Sequence, residues 1–378
     1  MEKIIFSSTV AISLAQFSKA PMRKMSESHE VIAISSPDEY SQEIEAMPEV
    51  RYIPIPMARR ISPISDLRSL LSLARVLRRE RPRMIHSITP KAGLLCMIAG
   101  WLTRVPVRIH TFTGLVFPTS TGWKRRLLML TDGITCRCAT HVVCEGQGVK
   151  HDLASHGITR KPLRVLGNGN LRGVDMKRFS RRPEVEDGAK TLRRDDVFTF
   201  LYMGRIVRDK GIEELCSAFA KLYEETSAIR LLLVGFTEYD LDPVNEATRH
   251  MISTHPGIET APWQWGDPLV SCYVAGDCYV LPSYREGFPN TVLEAGAMGL
   301  PSIVTDVNGS REIIIEGENG TIVPPRDAEA LYHAMKRMVS EEPTRMHMSR
   351  NARRLVEERF EQGYVLGNLM QFYSEVLA

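Results

Sequence analysis

The sequence contains no long apolar stretch, which argues against an integral membrane protein. Its 378 residues are 43% hydrophobic and 25% charged, and no run approaches the length of a membrane-spanning helix. Ser7, Ser8, Thr9 and Ser13 interrupt the first apolar segment, so we interpret that segment as a strand and loop and not as a signal peptide. The length is enough for two domains with separate cores.

The sequence also lacks the cysteine patterns of disulfide frameworks and zinc ribbons. Its seven cysteines are odd in number and scattered, and none forms a Cys-x-x-Cys pair. We therefore expect a cytoplasmic protein without a structural metal. There is no clustered Asp-x-Asp to bind a catalytic metal, and no interleaving of basic and aromatic residues of the kind that nucleic-acid binding needs. We expect neither a metal, nor another cofactor, nor a nucleic-acid partner.

Charge is unevenly distributed along the chain. Residues 1–170 contain 24 Lys and Arg against 13 Asp and Glu, a net charge of +11, whereas residues 171–378 contain 24 against 32, a net charge of −8. The basic residues concentrate between Arg68 and Arg83 and again at Lys124-Arg125-Arg126, which precede apolar residues. Basic and apolar neighbours on one helix suit an anionic membrane surface, although a solvated helix face accounts for either segment equally well.

Short apolar runs alternate with helical patterns along the whole chain. This alternation predicts an α/β, doubly wound architecture of parallel strands joined by helices. The pattern stops after Asn168-Gly169-Asn170 and restarts near Phe198, so we expect two Rossmann-like domains facing each other across a cleft. The expected boundaries are a first domain over 1–170, a linker over 171–195, a second domain over 196–360, and a C-terminal helix over 361–378 that returns to the first domain. The predicted strands are Ile4–Phe6, Val31–Ile34, Met84–His86, Val105–His110, His141–Val143, Leu163–Leu166, Phe198–Tyr202, Leu231–Val234, Cys278–Leu281, Ser302–Val304 and Thr321–Val323.

The most informative motif is a strand-to-helix turn over residues 283–301 that carries two glutamates. Pro289 and Asn290 are suited to start the helix, the first by its fixed φ and the second by a capping side chain. Free amides at a helix N-terminus attract phosphate, whereas Glu286 and Glu294 suit a hydroxylated ligand. A nucleotide sugar offers both groups.

The two glutamates also fit two roles that involve no nucleotide sugar. Glu294 could stabilise its own helix while Glu286 is a solvated loop charge. The two carboxylates could instead flank a glycosidic bond, as in glycoside hydrolases, because spacing in sequence does not give their separation in space.

A second motif opens the second domain. Residues 203–211 read Met-Gly-Arg-Ile-Val-Arg-Asp-Lys-Gly, which predicts a strand, a glycine turn and the start of a helix. Arg205 and Lys210 place two cations at the carboxyl end of this strand, where a leaving diphosphate would need them. Taken alone, glycines and cations at such a turn are common.

Together the two motifs resemble glycosyltransferase family 4, the retaining nucleotide-sugar enzymes of GT-B fold, and in particular bacterial capsular and O-antigen polysaccharide glycosyltransferases. The resemblance covers most of the chain. It also includes Gly169, residues 173–175, residues 281–283, residues 306–313 and residues 317–320.

The resemblance implies roles for individual residues. Arg205 and Lys210 would grip the donor diphosphate, Glu286 would face the transferred sugar, and Glu294 would hold the ribose hydroxyls. The backbone of residues 287–290 would line the sugar pocket. The residues implied in donor binding are Gly204, Gly287, Phe288, Pro289, Asn290, Thr291 and Glu294.

The first domain departs from the family pattern at two places. The loop after the first strand reads Ser7-Ser8-Thr9 where many relatives have two glycines, and Thr113-Gly114 stands where many have a histidine before the glycine. His110 lies three residues earlier and is our candidate for the catalytic role of that histidine, although Thr113 or a core position for His110 is equally compatible with the sequence. The acceptor side would include Ser8, Thr9, His86 and Thr113.

The expected function is a retaining transfer of a hexose or N-acetylhexosamine from a UDP-sugar to a hydroxyl of a lipid-linked glycan during cell-surface polysaccharide synthesis. The expected partners are the nucleotide sugar, the glycan acceptor and an anionic membrane at the inner face of the cell. The alternatives are a sugar-nucleotide epimerase and a noncatalytic nucleotide-sugar-binding protein of the same fold.

Overall fold

The chain folds into two α/β units, seen in a computed structural model that describes residues 1–59, 61–238 and 242–378. The first unit comprises residues 1–173 and 363–378, and the second comprises residues 174–362. Both units are built on parallel sheets with helical crossovers, which confirms the predicted Rossmann-like architecture. Among the described residues, no helix has the length and the apolar content that crossing a bilayer requires.

The described part of the first unit has seven parallel strands in the order β3-β2-β1-β4-β5-β6-β7. The central strand β1 pairs on both sides, with Ile5 opposite Ile32 and Ile85, so its side chains are buried on both faces. The strands are β1 (Lys3–Val10), β2 (Glu30–Ser36), β3 (Val50–Pro54), β4 (Met84–Ile88), β5 (Val107–Phe112), β6 (His141–Cys144) and β7 (Leu163–Val165). The helices are α1 (Ala11–Phe17), α2 (Lys19–Ser26), α3 (Ser41–Glu45), α4 (Pro63–Glu80), α5 (Pro90–Leu102), α6 (Gly122–Cys138), α7 (Gln147–Ser155) and α16 (Gln362–Leu377), with a 3-10 turn at Phe117–Thr119.

Two hydrophobic layers cover the two faces of the first sheet. Helices α4 to α7 contribute to one layer, in which Leu73, Leu77 and Cys136 pack with residues of β4 to β6. Helices α1, α2, α3 and α16 contribute to the other, in which Leu14 and Phe372 are buried. The outer surfaces of α4, α5 and α6 therefore lie on one side of this unit.

The described part of the second unit has six parallel strands in the order β10-β9-β8-β11-β12-β13 around one large core. The strands are β8 (Phe198–Ile206), β9 (Ile229–Thr237), β10 (Ile258–Ala261), β11 (Cys278–Leu281), β12 (Ser302–Thr305) and β13 (Gly320–Val323). The helices are α8 (Pro183–Ala189), α9 (Ile212–Glu225), α10 (Glu246–Thr254), α11 (Asp267–Val274), α12 (Asn290–Ala297), α13 (Ser310–Ile313), α14 (Ala328–Ser340) and α15 (Glu342–Phe360), with a 3-10 turn at Arg208–Lys210.

The segment over 171–195, which the sequence predicts to be a linker, contains regular structure. It includes α8, whose Val185 is completely buried in the core of the second unit. Ser271 on α11 donates a hydrogen bond to the Val185 carbonyl at 2.9 Å. The polar composition of this segment reflects the solvent face of a packed helix.

Candidate functional site

Two turns of the second unit meet at the carboxyl edge of its sheet. The turn between β8 and α9 ends at Gly211, which has a φ of 69°. A Cβ at this position would overlap the main-chain carbonyl of Pro282, which follows β11. Glycine is therefore required both for the left-handed backbone and for the close approach of the two turns.

Three polar contacts join these two turns. The amide of Tyr284 donates to the carbonyl of Asp209 at 2.9 Å, and the Arg285 guanidinium pairs with the Asp209 carboxylate at 2.7 Å. Lys210 Nζ lies 2.5 Å from Glu286 Oε1. The fold thus brings together two residues that the sequence places on separate motifs.

The Lys210–Glu286 pair is shielded from solvent without being sealed from it. The two side chains are 18% and 12% exposed. An ammonium has three donors, so Lys210 can keep its bond to Glu286 and still contact another anion. The pair can therefore serve ligands as well as structure.

Arg205, near the end of β8, has a carboxylate partner that neither sequence motif indicates. Its Nη1 donates to Glu238 Oε2 at 2.6 Å, and the two side chains are 37% and 17% exposed. Burial lowers the pKa of Arg205, but the hydrogen bond and charge of Glu238 outweigh it and raise the pKa, so the guanidinium is firmly cationic. Glu238 follows β9, which neighbours β8 in the sheet, and this adjacency is the signal that could have identified it.

The main chain that carries Arg205 is also held in place. Tyr202 is fully buried, and its hydroxyl donates to the Arg205 carbonyl at 2.6 Å. The β8 and β9 backbones pair along their whole length, with Arg205 opposite Phe236. The guanidinium therefore projects from a rigid strand end.

The helix α12 begins differently from the expectation. Pro289 occupies the cap position in an extended conformation and offers no side-chain acceptor, whereas Asn290 is already the first helical residue. The prediction that the Asn290 side chain caps the helix is wrong, because the cap lies one residue earlier. The first turn of this fully described helix contains no acidic residue, so its own side chains do not neutralise the positive end of the helix dipole.

Glu294 lies beyond the first turn of α12, at its fifth residue. It is 5% exposed, and Oε2 accepts a hydrogen bond from the Tyr273 hydroxyl at 2.7 Å. Tyr273 is a completely buried residue of α11 that the sequence motifs do not include. This contact fixes the orientation of a nearly buried carboxylate, and a carboxylate can accept several hydrogen bonds at once, one from a ligand hydroxyl among them.

The loop between β11 and α12 rests on a third turn. Gly309 has a φ of 72°, and a Cβ there would overlap the backbone of Gly287 and Phe288. The Phe288 ring is buried and packs on Phe360 with centroids 5.4 Å apart, so this side chain holds the loop from inside. The other donor-side candidates, Gly204 and Thr291, lie in β8 and at the second position of α12.

In the first unit, the two candidate histidines are interior residues. His86 is 3% exposed and lies between the hydroxyls of Tyr373 at 2.5 Å and Thr111 at 2.8 Å. His110 is 1% exposed, with Nδ1 at 2.9 Å from Ser87 Oγ. Burial lowers the pKa of each imidazole to about 3, so both are neutral at physiological pH. This corrects the expectation of a catalytic His110, because almost the entire surface of its side chain is covered by protein.

The remaining acceptor-side candidates follow the same trend. Ser8 is fully buried and donates to the Val10 carbonyl at 2.6 Å, and Thr9 is 5% exposed with its hydroxyl 2.8 Å from that of Thr89. Thr113, directly after β5, is half-buried. Of the five residues predicted in the first unit, Thr113 alone keeps substantial exposure.

Comparison with known proteins gives two family matches. Residues 185–355 match the model described as glycosyl transferases group 1, and residues 22–169 match a glycosyl transferase 4-like domain. These two matched ranges correspond closely to the two units of the fold.

Similar proteins and structures point in the same direction. The capsular polysaccharide biosynthesis glycosyltransferase CapM of Staphylococcus aureus is 32% identical over 325 residues, covering 85% of this chain and 84% of that protein. An Escherichia coli UDP-Gal:alpha-D-GlcNAc-diphosphoundecaprenol alpha-1,3-galactosyltransferase is 26% identical, covering 80% of this chain and 78% of that protein. The crystal structure of Anabaena Alr3699/HepE in complex with UDP-glucose superposes with a TM-score of 0.82 at 16% identity, over 99% of this chain and all of that one.

Proposed function

This chain belongs to the glycosyl transferases group 1 and has the GT-B fold, and on that basis we propose the reaction that its site carries out. It is a glycosyltransferase of polysaccharide biosynthesis. We propose that it moves a hexose or N-acetylhexosamine from a UDP-sugar to a hydroxyl of a lipid-linked glycan, with retention of anomeric configuration. No metal or other cofactor takes part in this scheme.

The observation that carries the proposal is the meeting of the two charged motifs. Lys210 and Glu286 are 2.5 Å apart, although they come from different turns. Arg205 lies near the end of the strand that precedes the first of these turns. A diphosphate bound there would be neutralised by two cations, while the sugar next to it would meet a carboxylate.

Each donor group then has a partner of suitable chemistry. The diphosphate takes Arg205, Lys210 and the main-chain amides at the start of α12. The ribose hydroxyls donate to Glu294, which Tyr273 holds in place. The hydroxyls of the transferred sugar donate to Glu286.

In the transfer step, the bond between the anomeric carbon and the β-phosphate oxygen breaks as the acceptor oxygen bonds to the same carbon. The acceptor proton moves to the departing phosphate oxygen. Negative charge grows on this phosphate as the bond breaks, and Arg205 and Lys210 stabilise it without reorganising. The step needs no protein nucleophile and no histidine, which agrees with the interior positions of His86 and His110.

We assign Glu238 to positioning. Its carboxylate holds one N–H of the Arg205 guanidinium at 2.6 Å. A guanidinium has five N–H donors in a fixed plane, so anchoring one of them directs the others. Glu238 acts through Arg205 and need not touch the donor.

The proposed acceptor follows from the names of two relatives. The Escherichia coli relative and a Campylobacter jejuni relative, 23% identical over 92% of this chain, are both named for glycosyl transfer to diphosphoundecaprenol-linked sugars. We propose an acceptor of the same kind, so the enzyme works in the cytoplasm at the inner face of the membrane.

A donor panel tests the proposal. Nucleoside diphosphate sugars are incubated with the protein and a lipid-linked saccharide, and the product linkage is assigned by NMR. We expect one UDP-sugar to give an α-linked product if its own linkage is α, with activity unchanged by a metal chelator. Conversion of the donor without acceptor would instead identify an epimerase, and binding without turnover would identify a noncatalytic binder.

A further inference from the structure

The outer surface of α4, α5 and α6 in the first unit is unusually apolar. Eight of the ten large hydrophobic residues that are exposed in the described part of this unit lie between positions 61 and 130, on or next to these three helices. Trp123 in α6 is 73% exposed, and Ile64 in α4 is 71% exposed. We call this the α4–α6 surface; its main apolar residues are Ile64, Leu67, Leu71, Trp101, Trp123 and Leu130.

The apolar residues of α4 form an outward stripe. Ile64, Leu67 and Leu71 are spaced by three and four residues, which places them on one side of the helix. The opposite side carries Leu73 and Leu77, which are buried against the sheet. The stripe is thus additional to the side of α4 that packs in the fold.

Charge on the same three helices is of one sign. The three helices are described in full, and every exposed charged side chain on them is basic, whereas none is a carboxylate. Their acids are withdrawn: Asp66 pairs with Lys91 at 2.5 Å, Glu80 is buried, and Asp132 is half-buried with its pKa raised by burial to about 7. The exposed basic residues include Arg68, Arg75, Arg78, Lys124, Arg126 and Arg137.

The opposite side of the same unit does not share this bias. On α2, Lys24 pairs with Glu27 at 2.7 Å and Arg23 with Glu49 at 3.2 Å. Lys19 pairs with Glu43 of α3 at 3.3 Å. The basic excess is therefore local to the α4–α6 surface.

We propose that the α4–α6 surface docks on an anionic membrane. Tryptophan and leucine side chains enter the interface between headgroups and acyl chains, while the arginines and lysines contact lipid phosphates. A second copy of the chain is a poor occupant, because it would bring one basic surface against another. This docking role rests on the proposed function, for which it supplies the membrane partner of a lipid-linked acceptor.

Vesicle sedimentation of the full chain tests the proposal without using the transfer reaction. We expect binding to phosphatidylcholine vesicles that contain phosphatidylglycerol, little binding to phosphatidylcholine alone, and weaker binding as salt rises. The variant Arg75→Glu/Arg78→Glu should lose on the order of 25-fold in vesicle affinity, about five-fold for each basic residue removed. Trp123→Ser should lose several-fold.

The matched control is Arg23→Glu/Lys24→Glu, which makes the same change in charge on the opposite side. It should bind like the wild type. Equal losses in both double variants, or no vesicle binding at low salt, would overturn the docking proposal. A concentration-dependent dimer that Trp123→Ser dissociates would also overturn it, by assigning the surface to a second copy.

Transfer to a short-chain, water-soluble acceptor separates this proposal from the proposed function. All of these surface variants should keep wild-type turnover with such an acceptor. If turnover is absent in the wild type while vesicle binding follows the expected pattern, the proposed function fails and the docking surface stands.

Discussion

The polar residues at the carboxyl ends of the strands behave differently in the two units. In the second unit, the charged candidates Arg205, Lys210 and Glu286 are partly exposed and pair with carboxylate or ammonium partners. In the first unit, the neutral candidates His86 and His110 are buried and satisfied by neighbouring hydroxyls. The cost of burial explains the difference, because a charge must keep a partner or water whereas a neutral imidazole can join a core.

The difference shows which sequence signals locate a site. Several charged residues at consecutive strand ends can hardly be absorbed into the interior, so they predict a site well. Histidine, serine and threonine at the same edge fit a core or a site equally, and the sequence alone does not separate the two.

Removing the guanidinium at the charged edge of the second unit should have the greatest consequence. Arg205→Ala should lower kcat/KM by about 10²- to 10³-fold, because it deletes a cation that stabilises the leaving diphosphate. The measurement is steady-state transfer with the preferred donor. Arg208→Ala, three residues away on an exposed side chain, is the matched control and should stay near the wild type. Similar losses in both variants would remove the special status of Arg205.

Gly211→Ala tests whether the two turns must touch. We expect a loss of more than about 3 kcal/mol in the free energy of unfolding together with loss of transfer, because the new Cβ meets the Pro282 carbonyl in addition to straining φ. Gly317 has a similar φ of 79° with open space around it, so Gly317→Ala should lose only about 1 to 2 kcal/mol. Denaturant unfolding of both variants measures the difference, and equal losses would mean that the contact between the turns is unimportant.

Much of this architecture could be predicted from the sequence, because buried parallel strands are nearly continuous apolar runs. The two strands that escaped prediction, β3 and β10, lie at the edges of their sheets. Arg51 in β3 and Glu259 in β10 interrupt these half-exposed segments. Edge strands bury one side and therefore lack the signal.

The site was predictable in its charges and not in its supports. Glu238 and Tyr273 each contact a predicted residue, but they lie far from that residue in sequence. Only the strand order, which sets β9 beside β8, brings Glu238 to Arg205. Contacts of this kind depend on the fold and have no local pattern.

Variants of Glu238 distinguish a positioning role from competition with the donor. Glu238→Ala should lower kcat by roughly 10-fold, since a charge-assisted hydrogen bond contributes about 1.5 to 3 kcal/mol. Glu238→Gln, which can still accept a hydrogen bond, should recover part of the loss. Glu259→Ala breaks the Arg230–Glu259 pair, 3.2 Å apart, elsewhere in the same unit and serves as control. If Glu238→Ala instead tightens donor binding without lowering kcat, Glu238 competes with the donor and does not position Arg205.

The first unit should reveal its buried histidines through stability. Their pKa falls from 6.5 to about 3 on folding, so the unfolded chain binds more protons between these values. Stability should therefore be complete above pH 6.5 and decline as the pH falls towards 3, by about 1.4 kcal/mol per pH unit for each histidine. His110→Gln should reduce this slope in denaturant unfolding. If His110→Gln instead unfolds like the wild type at every pH but abolishes transfer, His110 returns to catalysis.

Calorimetric titration with UDP and the UDP-sugar panel is the decisive experiment on the joined turns. We expect the wild type to bind UDP and at least one UDP-sugar. Lys210→Met should lose at least about 10-fold in affinity, because a charge-assisted contact to the diphosphate is gone. Unchanged affinity in Lys210→Met, or no heat with any member of the panel, would refute the assignment of the joined turns as a diphosphate site.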